Sequence, residues 1–397
     1  MHSRALILLI LLALMPLLAH AQEGAVAFSV VRDKILTPVW VNGAGPYPFV
    51  LDLGIKQPVV SRIVADALGL KPSPPDQGQG QNLAGDQGVA PVVEVQELRS
   101  GEAASKPLQV LMMDLSPFKT TLGTEVAGIF SGREIGNELR LDFAANALTV
   151  RPRSGEGSLP TDTRSIRLRL DEDNQPVVSV LLDGKHVRSF LVDTTFGGAL
   201  GMPEQALRDL GLLTDNTPHL AVENLSTGDA NSQPLSEKMQ IRLKSVRVGS
   251  AEVQDPVCTV LPSTESPRLG LEFLKNFRAI FDFEGKLLRL EHTGKLPIVA
   301  GPISGCGLTP ARFVGGYWTV WVARDSPASK AGIQTGAILA EVNGKDLKDA
   351  GYASVARRLT AEEGDVLSVT LGQVKGGSEG TPQGEQRTIA LAAKRLL

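Results

Sequence analysis

The sequence predicts a mainly β protein assembled from two similar units and a third, different one. Three observations carry this: strand–turn–strand patterns with few long helical periodicities, 41 glycines and 25 prolines as punctuation, and a stretch that occurs twice. "VNGAGPYPFVLDLG" at residues 41–54 and "LDGKHVRSFLVDTT" at residues 182–195 stand at an offset of 141 residues. Each holds an Asn-Gly or Asp-Gly pair between alternating apolar residues, a hairpin signal, and then an apolar strand ending in aspartate. Asp52 corresponds to Asp193.

In chain order, residues 1–21 read as a secretory signal. Arg4 precedes an apolar run at 5–18, and Ala19-His20-Ala21 forms an A-x-A cleavage pattern. The mature protein is expected to start at Gln22, to be periplasmic or secreted, and to have no integral membrane span after signal cleavage, since no later apolar run approaches ~20 residues. The length, 397 residues, exceeds a single core and suggests two or three domains.

The repeat continues downstream of the paired aspartates. "ADALGL" at 65–70 matches "LRDLGL" at 207–212, a short helix ending in glycine, and "NLAGDQG" at 82–88 matches "NLSTGDA" at 224–230, a polar tip. "GIFSGREIGNELRLDFAANALTV" at 128–150 matches "PRLGLEFLKNFRAIFDFEGKLLRL" at 267–290, with Asp142-Phe143 against Asp282-Phe283. Landmarks in one order, twice, point to an internal duplication.

Composition removes several kinds of chemistry. The net charge of -3 without a basic cluster argues against nucleic acid as a partner. His2 and His20 fall in the signal, and His186, His219 and His292 are far apart without metal-ligand spacing, so no metal and no cofactor is expected. No G-x-S-x-G elbow marks a serine nucleophile. Cys258 and Cys306 either pair across a domain boundary or sit as two separate buried thiols. A lone aspartate at a strand end is most simply an acceptor for nearby N–H groups; the second copy turns attention to a pair.

The run of strand, Asp-x-Gly-like triplet, strand, short helix ending in L-G-L and a Gly-containing tip, closing on an Asp-bearing apolar hairpin, resembles the retropepsin-like aspartic proteases in their bacterial exported form. The resemblance covers residues 26–152 and 165–293, and it implies two acid-protease β-barrel halves in one chain. It further implies that Asp52 and Asp193 are the catalytic dyad, that Leu53, Gly54, Thr194 and Thr195 form the dyad loops, and that Gly85, Asp86, Gly228 and Asp229 are flap tips. Two carboxylates held too close for both to ionise share a proton; one activates water and the other donates to the scissile carbonyl of a polypeptide.

Departures from the family triplet Asp-Thr-Gly are visible. Leu53 lacks the hydroxyl that grips across the two loops, Thr195 replaces glycine, Ser131 stands where a glycine is expected, and Ile55 and Phe196 are bulky where the family is small. These changes are expected to narrow the cleft. They leave a second reading in play: a catalytically silent, protease-like peptide-binding or scaffold protein.

After a Pro/Gly-bearing connector, residues 300–397 change character. "SPASKAGI" at 326–333 and "GAILAEVNGKDL" at 336–347, behind a hairpin turning at Gly315-Gly316, resemble a PDZ domain, with Ala337 in place of the usual aspartate. By that resemblance, Cys306, Gly307 and Leu308 form a loop for protein C-terminal carboxylates, and Val355 and Leu359 line a pocket for the last side chain.

Overall fold

The structure is a computed structural model that describes residues 24–73, 80–81, 89–151, 165–223, 237–292, 298–301, 303–372 and 386–397. Residues 1–21, expected to be a signal, and the four candidate flap-tip residues, Gly85, Asp86, Gly228 and Asp229, lie outside these residues. The protein is mainly β, with half-barrel sheets. Among the described residues, no helix is long and apolar enough to cross a membrane.

Local chemistry sets the hairpins that deliver both aspartates. Asn42 and Gly43 take positive φ of 50° and 78°, and Asp183 and Gly184 take 49° and 67°, values that Asn, Asp and Gly reach at least cost. Each turn is then tied to a neighbouring loop by its side chain. Asn42 Oδ1 accepts from Gln96 N at 2.8 Å, and Asp183 Oδ1 accepts from Lys244 N at 2.8 Å. Both short helices, Arg62–Ala67 and Glu204–Asp209, end as expected before a left-handed glycine, Gly69 and Gly211.

The two larger sheets repeat one order of pairings. Strand Ala44–Leu51 runs antiparallel to Lys34–Val41 and parallel to Gly128–Phe130, which pairs with Val59–Ser61, which in turn runs parallel to Leu108–Met113. Strand His186–Val192 runs antiparallel to Pro176–Leu182 and parallel to Arg268–Leu269, which pairs with Leu200–Pro203, itself parallel to Val257–Leu261. A six-stranded sheet joins them, with Glu138–Asp142 against Arg278–Asp282 at its centre. Asp142 and Asp282, matched in sequence, have matched duties: each caps its hairpin turn, accepting from Ala145 N at 3.0 Å and Gly285 N at 2.7 Å. One apolar core runs through both sheets, from Ile35, Phe49 and Leu53 to Phe190, Phe273 and Phe281.

Residues 303–372 and 386–397 build a separate core around Trp318, Leu339, Val355 and Val369. Its main sheet begins with strand Leu308–Val314, which among the described residues pairs with Tyr317–Val322 on one side. Helix Pro117–Leu122 of the first sheet system packs near that strand. Val355 and Leu359 lie in this core at 0% and 6% exposure, so they support the domain from inside instead of lining an open pocket. Cys258 and Cys306 are free and belong to different cores, which leaves the reading of two separate buried thiols. Burial pushes the Cys258 thiol up to about 12, and it raises that of Cys306.

Candidate active site

The two aspartates leave their strands at equivalent points and meet. Asp52 N donates to Phe130 O at 2.9 Å and Asp193 N to Leu269 O at 3.0 Å, so each loop is pinned to the strand that follows it in the sheet. A Cβ at Gly54 would lie 3.2 Å from Asp52 Oδ1 and 3.8 Å from Asp193 Oδ1. Both carboxyls therefore crowd one point, and a side chain at Gly54 would press into the space between them.

The grip between the loops is one-sided. Thr194 Oγ1 donates to Leu51 O at 2.9 Å and accepts from Leu53 N at 3.0 Å, spanning the two loops while fully buried. Leu53, with no hydroxyl to return the contact, is fully buried in the shared core. It contributes apolar area in place of a hydrogen bond.

Donors divide unequally between the carboxyls. Asp193 Oδ1 accepts from Thr195 N at 2.8 Å, Thr195 Oγ1 at 2.7 Å and Phe196 N at 3.0 Å, while Oδ2 accepts from Arg268 Nη1 at 2.7 Å. Asp52 Oδ1 accepts from Gly54 N at 2.8 Å. Burial acts to raise Asp193, but the Arg268 charge and the Thr195 donors outweigh it and hold the carboxyl below its usual range. Burial first, and then the Asp193 charge, push Asp52 up to about 7. The pair thus holds one proton, on Asp52, across the mildly acidic range.

Two further residues strap the loops from the opposite sheet system. Lys34 Nζ donates to Thr195 O, and Gln175 Nε2 donates to Gly54 O. Lys34 opens strand Lys34–Val41 and Gln175 immediately precedes strand Pro176–Leu182, and their acceptors belong to matched triplets at the same offset of 141 residues. The straps are equivalent in position and differ in charge. Lys34 is 6% exposed; burial lowers its pKa, opposed by the carboxylates of Asp193, Asp33 and Asp52.

Sequence reading singled out neither strap, nor Arg268. Arg268 nevertheless carried a signal: it pairs with Leu191 where the first repeat places Ile129 against Val50, so a charge interrupts a matched apolar strand. The expected narrowing by bulky residues does not occur as described. Ile55 turns into an apolar cluster with Leu36, Val50 and Val59, and Phe196 lies against Gly198, Gly201 and Gly270, where added Cβ atoms would come within 2.9 Å of its ring. Those glycines absorb its bulk. Thr195 also gains, because its hydroxyl points at Asp193. Ser131 binds Glu134 through both N and Oγ, so the first repeat replaces glycine with a polar turn.

Cys306, Gly307 and Leu308 stand apart from the dyad in the third core. Gly307 has a positive φ of 78° and lies against Ser326, with an added Cβ only 2.1 Å from that residue's Cβ, so no other residue fits there. Cys306 O accepts from Ala328 N at 3.0 Å and Gly307 O from Ala323 N at 2.8 Å.

Residues 37–131 match the model of the aspartyl protease family. That span holds Asp52 and its loop; Asp193 lies beyond it. Among solved structures, a retropepsin-like aspartic protease from Rickettsia conorii is similar at 19% identity, covering 32% of this chain and 90% of its own, with a TM-score of 0.26. The aspartic proteinase from Irpex lacteus is 14% identical over 68% of this chain and 97% of its own, with a TM-score of 0.40. The photosystem II D1 C-terminal processing protease is 25% identical over 25% of each chain, with a TM-score of 0.21. No curated protein sequence matches.

Proposed function

We propose that the protein is an exported aspartic endopeptidase of two retropepsin-like halves, residues 26–152 and 165–293, joined to a PDZ-like domain at 300–397 that recruits polypeptide. The observation that carries the reading is the meeting of Asp52 and Asp193 in opposed environments, one raised to about 7 and the other held low. In the resting pair Asp193 is the carboxylate and Asp52 the acid.

In the reaction this arrangement favours, water oxygen bonds to the scissile carbonyl carbon and its proton passes to Asp193, while Asp52 gives its proton to the carbonyl oxygen. In the collapse of the gem-diol, a hydroxyl proton returns to Asp52, the Asp193 proton goes to the amide nitrogen, and the C–N bond breaks. A free acid and a free amine leave, and the pair regains its starting protonation. The test is incubation of the protein with a diverse peptide mixture from about pH 4 to 7, beside Asp52→Asn and Asp193→Asn. Cleavage in the parent alone supports the dyad. Export is tested by mass spectrometry of the extracytoplasmic fraction, with an N-terminus near Gln22 expected.

A second reading, a protein that holds peptides uncut, draws on Arg268. Its ion pair with Asp193 Oδ2 weakens that carboxylate as a base. A parent that binds peptides and cuts none would favour it.

A further inference from the structure

The two straps occupy equivalent places and carry different charge. Lys34 reaches Thr195 O in the loop of Asp193, and Gln175 reaches Gly54 O in the loop of Asp52. A cation stands on one side of the pair and a neutral amide on the other. Among the described residues, the charged groups around the site include Asp33 beside Lys34, Arg32 acting on both, Lys275 acting on Asp33, Arg133 bound to Ile55 O at 3.3 Å with Glu134 and Asp171 acting on it, and Arg268 shared between Asp193 and Glu265. Arg133 acts on Asp52 from within the first repeat; Arg268 touches Asp193 directly, and both Arg268 and Lys34 also act on Asp52, Lys34 less than on Asp193. The repeats share a strand plan, so the choice of base falls to these charges and to the Thr195 and Phe196 donors around Asp193.

We propose that Lys34 and Gln175, together with Arg268, are positioning residues that decide which aspartate is the base and which the acid. Lys34→Gln keeps a donor for Thr195 O, as Gln175 provides for Gly54 O, and removes only the charge. Gln175→Lys places a cation behind Asp52. The assignment rests on the protease reading for its purpose, but its measurement does not need turnover. Carboxyl ¹³C NMR titrations of the aspartate-labelled protein follow both groups.

In Lys34→Gln and in Arg268→Gln, the Asp193 midpoint is expected to rise by roughly a unit or more; in Gln175→Lys, the Asp52 midpoint is expected to fall by a similar amount. In the double exchange Lys34→Gln with Gln175→Lys, the gap between the two midpoints closes. Folded variants with both midpoints unmoved overturn the assignment, and should Lys34→Gln not fold, an unmoved Asp52 in Gln175→Lys does the same. Where cleavage occurs, the acid limb of its pH profile moves up in Lys34→Gln. Shifted midpoints in a protein that cuts nothing sink the protease reading and keep the charge assignment.

A second inference comes from a different contact. Among the described residues, strand Leu308–Val314 has one edge without a strand partner, the place where an added peptide strand would lie, yet Arg32 Nη1 donates to Ala311 O in its middle and to Thr121 O, at 3.0 Å, in helix Pro117–Leu122. The Arg32 guanidinium also lies 5.6 Å from the Tyr352 ring centroid, at the start of helix Tyr352–Leu359. Arg32 and Asp33 both have positive φ, 44° and 59°; aspartate tolerates this backbone, but arginine adopts it at a cost that tertiary contacts must offset. From this turn Arg32 reaches the third core, and the next residue, Lys34, reaches the Asp193 loop.

We infer that Arg32 is a latch: it holds the peptide-accepting edge closed, and a peptide that adds there competes with it. The latch rests on the PDZ-like reading. Fluorescence anisotropy with a labelled peptide ending in a free-carboxylate valine, and with its amide, tests it in the parent and in Arg32→Ala. Binding of the acid at least tenfold tighter in Arg32→Ala is expected. Equal binding removes the latch alone; binding to neither folded form removes peptide recruitment and the latch with it.

Discussion

The loop of Asp52 and the loop of Asp193 share a backbone plan and differ in what surrounds the carboxyl. Asp193 accepts four hydrogen bonds, one from a guanidinium, and is 4% exposed; Asp52 accepts from Gly54 N and remains partly open to solvent. A repeated order of strand pairings therefore does not yield two equivalent acids. Proton affinity follows local charge and donor count, and those were changed at Thr195, Arg268 and Lys34 while the strands and turns that place the aspartates were kept.

The comparison is broken most directly at the carboxyls themselves. Asp52→Asn and Asp193→Asn are each expected to lower peptide cleavage by ~10³-fold or more, because the reaction needs both partners of the pair. In the parent, cleavage is expected to fall as pH rises through about 7, where Asp52 loses its proton. A pH–rate profile without a decline near neutrality would mean that Asp52 is not the acid.

Stability should separate the two residues next. Asp193→Ala leaves Arg268 and the Thr195 donors facing an empty site, and is expected to cost roughly 2–4 kcal/mol in denaturant unfolding, an amount reduced by the access of Arg268 to solvent. Asp52 acts in the opposite sense. Its folded pKa is raised, so the folded state binds more protons than the unfolded one from about pH 4 to 7, and stability falls as pH rises across that window. Asp52→Asn should remove that slope and be more stable than the parent above pH 7.

The structural glycine position is a smaller lever. At Gly270 an added Cβ would lie 2.2 Å from Gly198 O and 2.5 Å from Phe196, and Gly270→Ala is expected to cost about 1–3 kcal/mol. Ser131→Gly, at the matched place, should cost less than about 1 kcal/mol net of the lost Glu134 contacts. Thermal melts of both variants would show the asymmetry, and equal losses would contradict it.

The grip between the loops is a lever of similar size. Thr194→Val removes the bonds to Leu51 O and Leu53 N and should cost roughly 1–2 kcal/mol. Leu53→Thr, which introduces the hydroxyl missing at this position, is expected to destabilise as well, because position 53 is fully buried among apolar side chains. A stabilised Leu53→Thr would show that its hydroxyl finds a partner across the interface.

Much of this arrangement was legible in the sequence because local rules set it. Asn42-Gly43 and Asp183-Gly184 dictate their turns through left-handed backbone, Gly69 and Gly211 end their helices, and the matched apolar strands carry Asp52 and Asp193 to equivalent strand ends. Ile55 and Phe196 misled for a physical reason: their size is visible in sequence, but the cluster around Val59 and the glycines at 198, 201 and 270 that receive them are assembled only by folding. The same holds for the third core, where Gly307 and the SPASKAGI segment were readable and the covering of strand Leu308–Val314 by Arg32 was not.

By itself, then, the sequence determined the mainly β character, the repeated hairpins and the two aspartates at matching strand ends, since these depend on neighbours along the chain. The tertiary structure alone decided how unlike the two acids are. Arg268 is 75 residues from Asp193, and Lys34 is 161 residues from the Thr195 carbonyl it holds. Coulomb energy falls with distance in space and takes no account of separation along the chain, so the charge on each carboxyl was fixed only when folding closed those intervals.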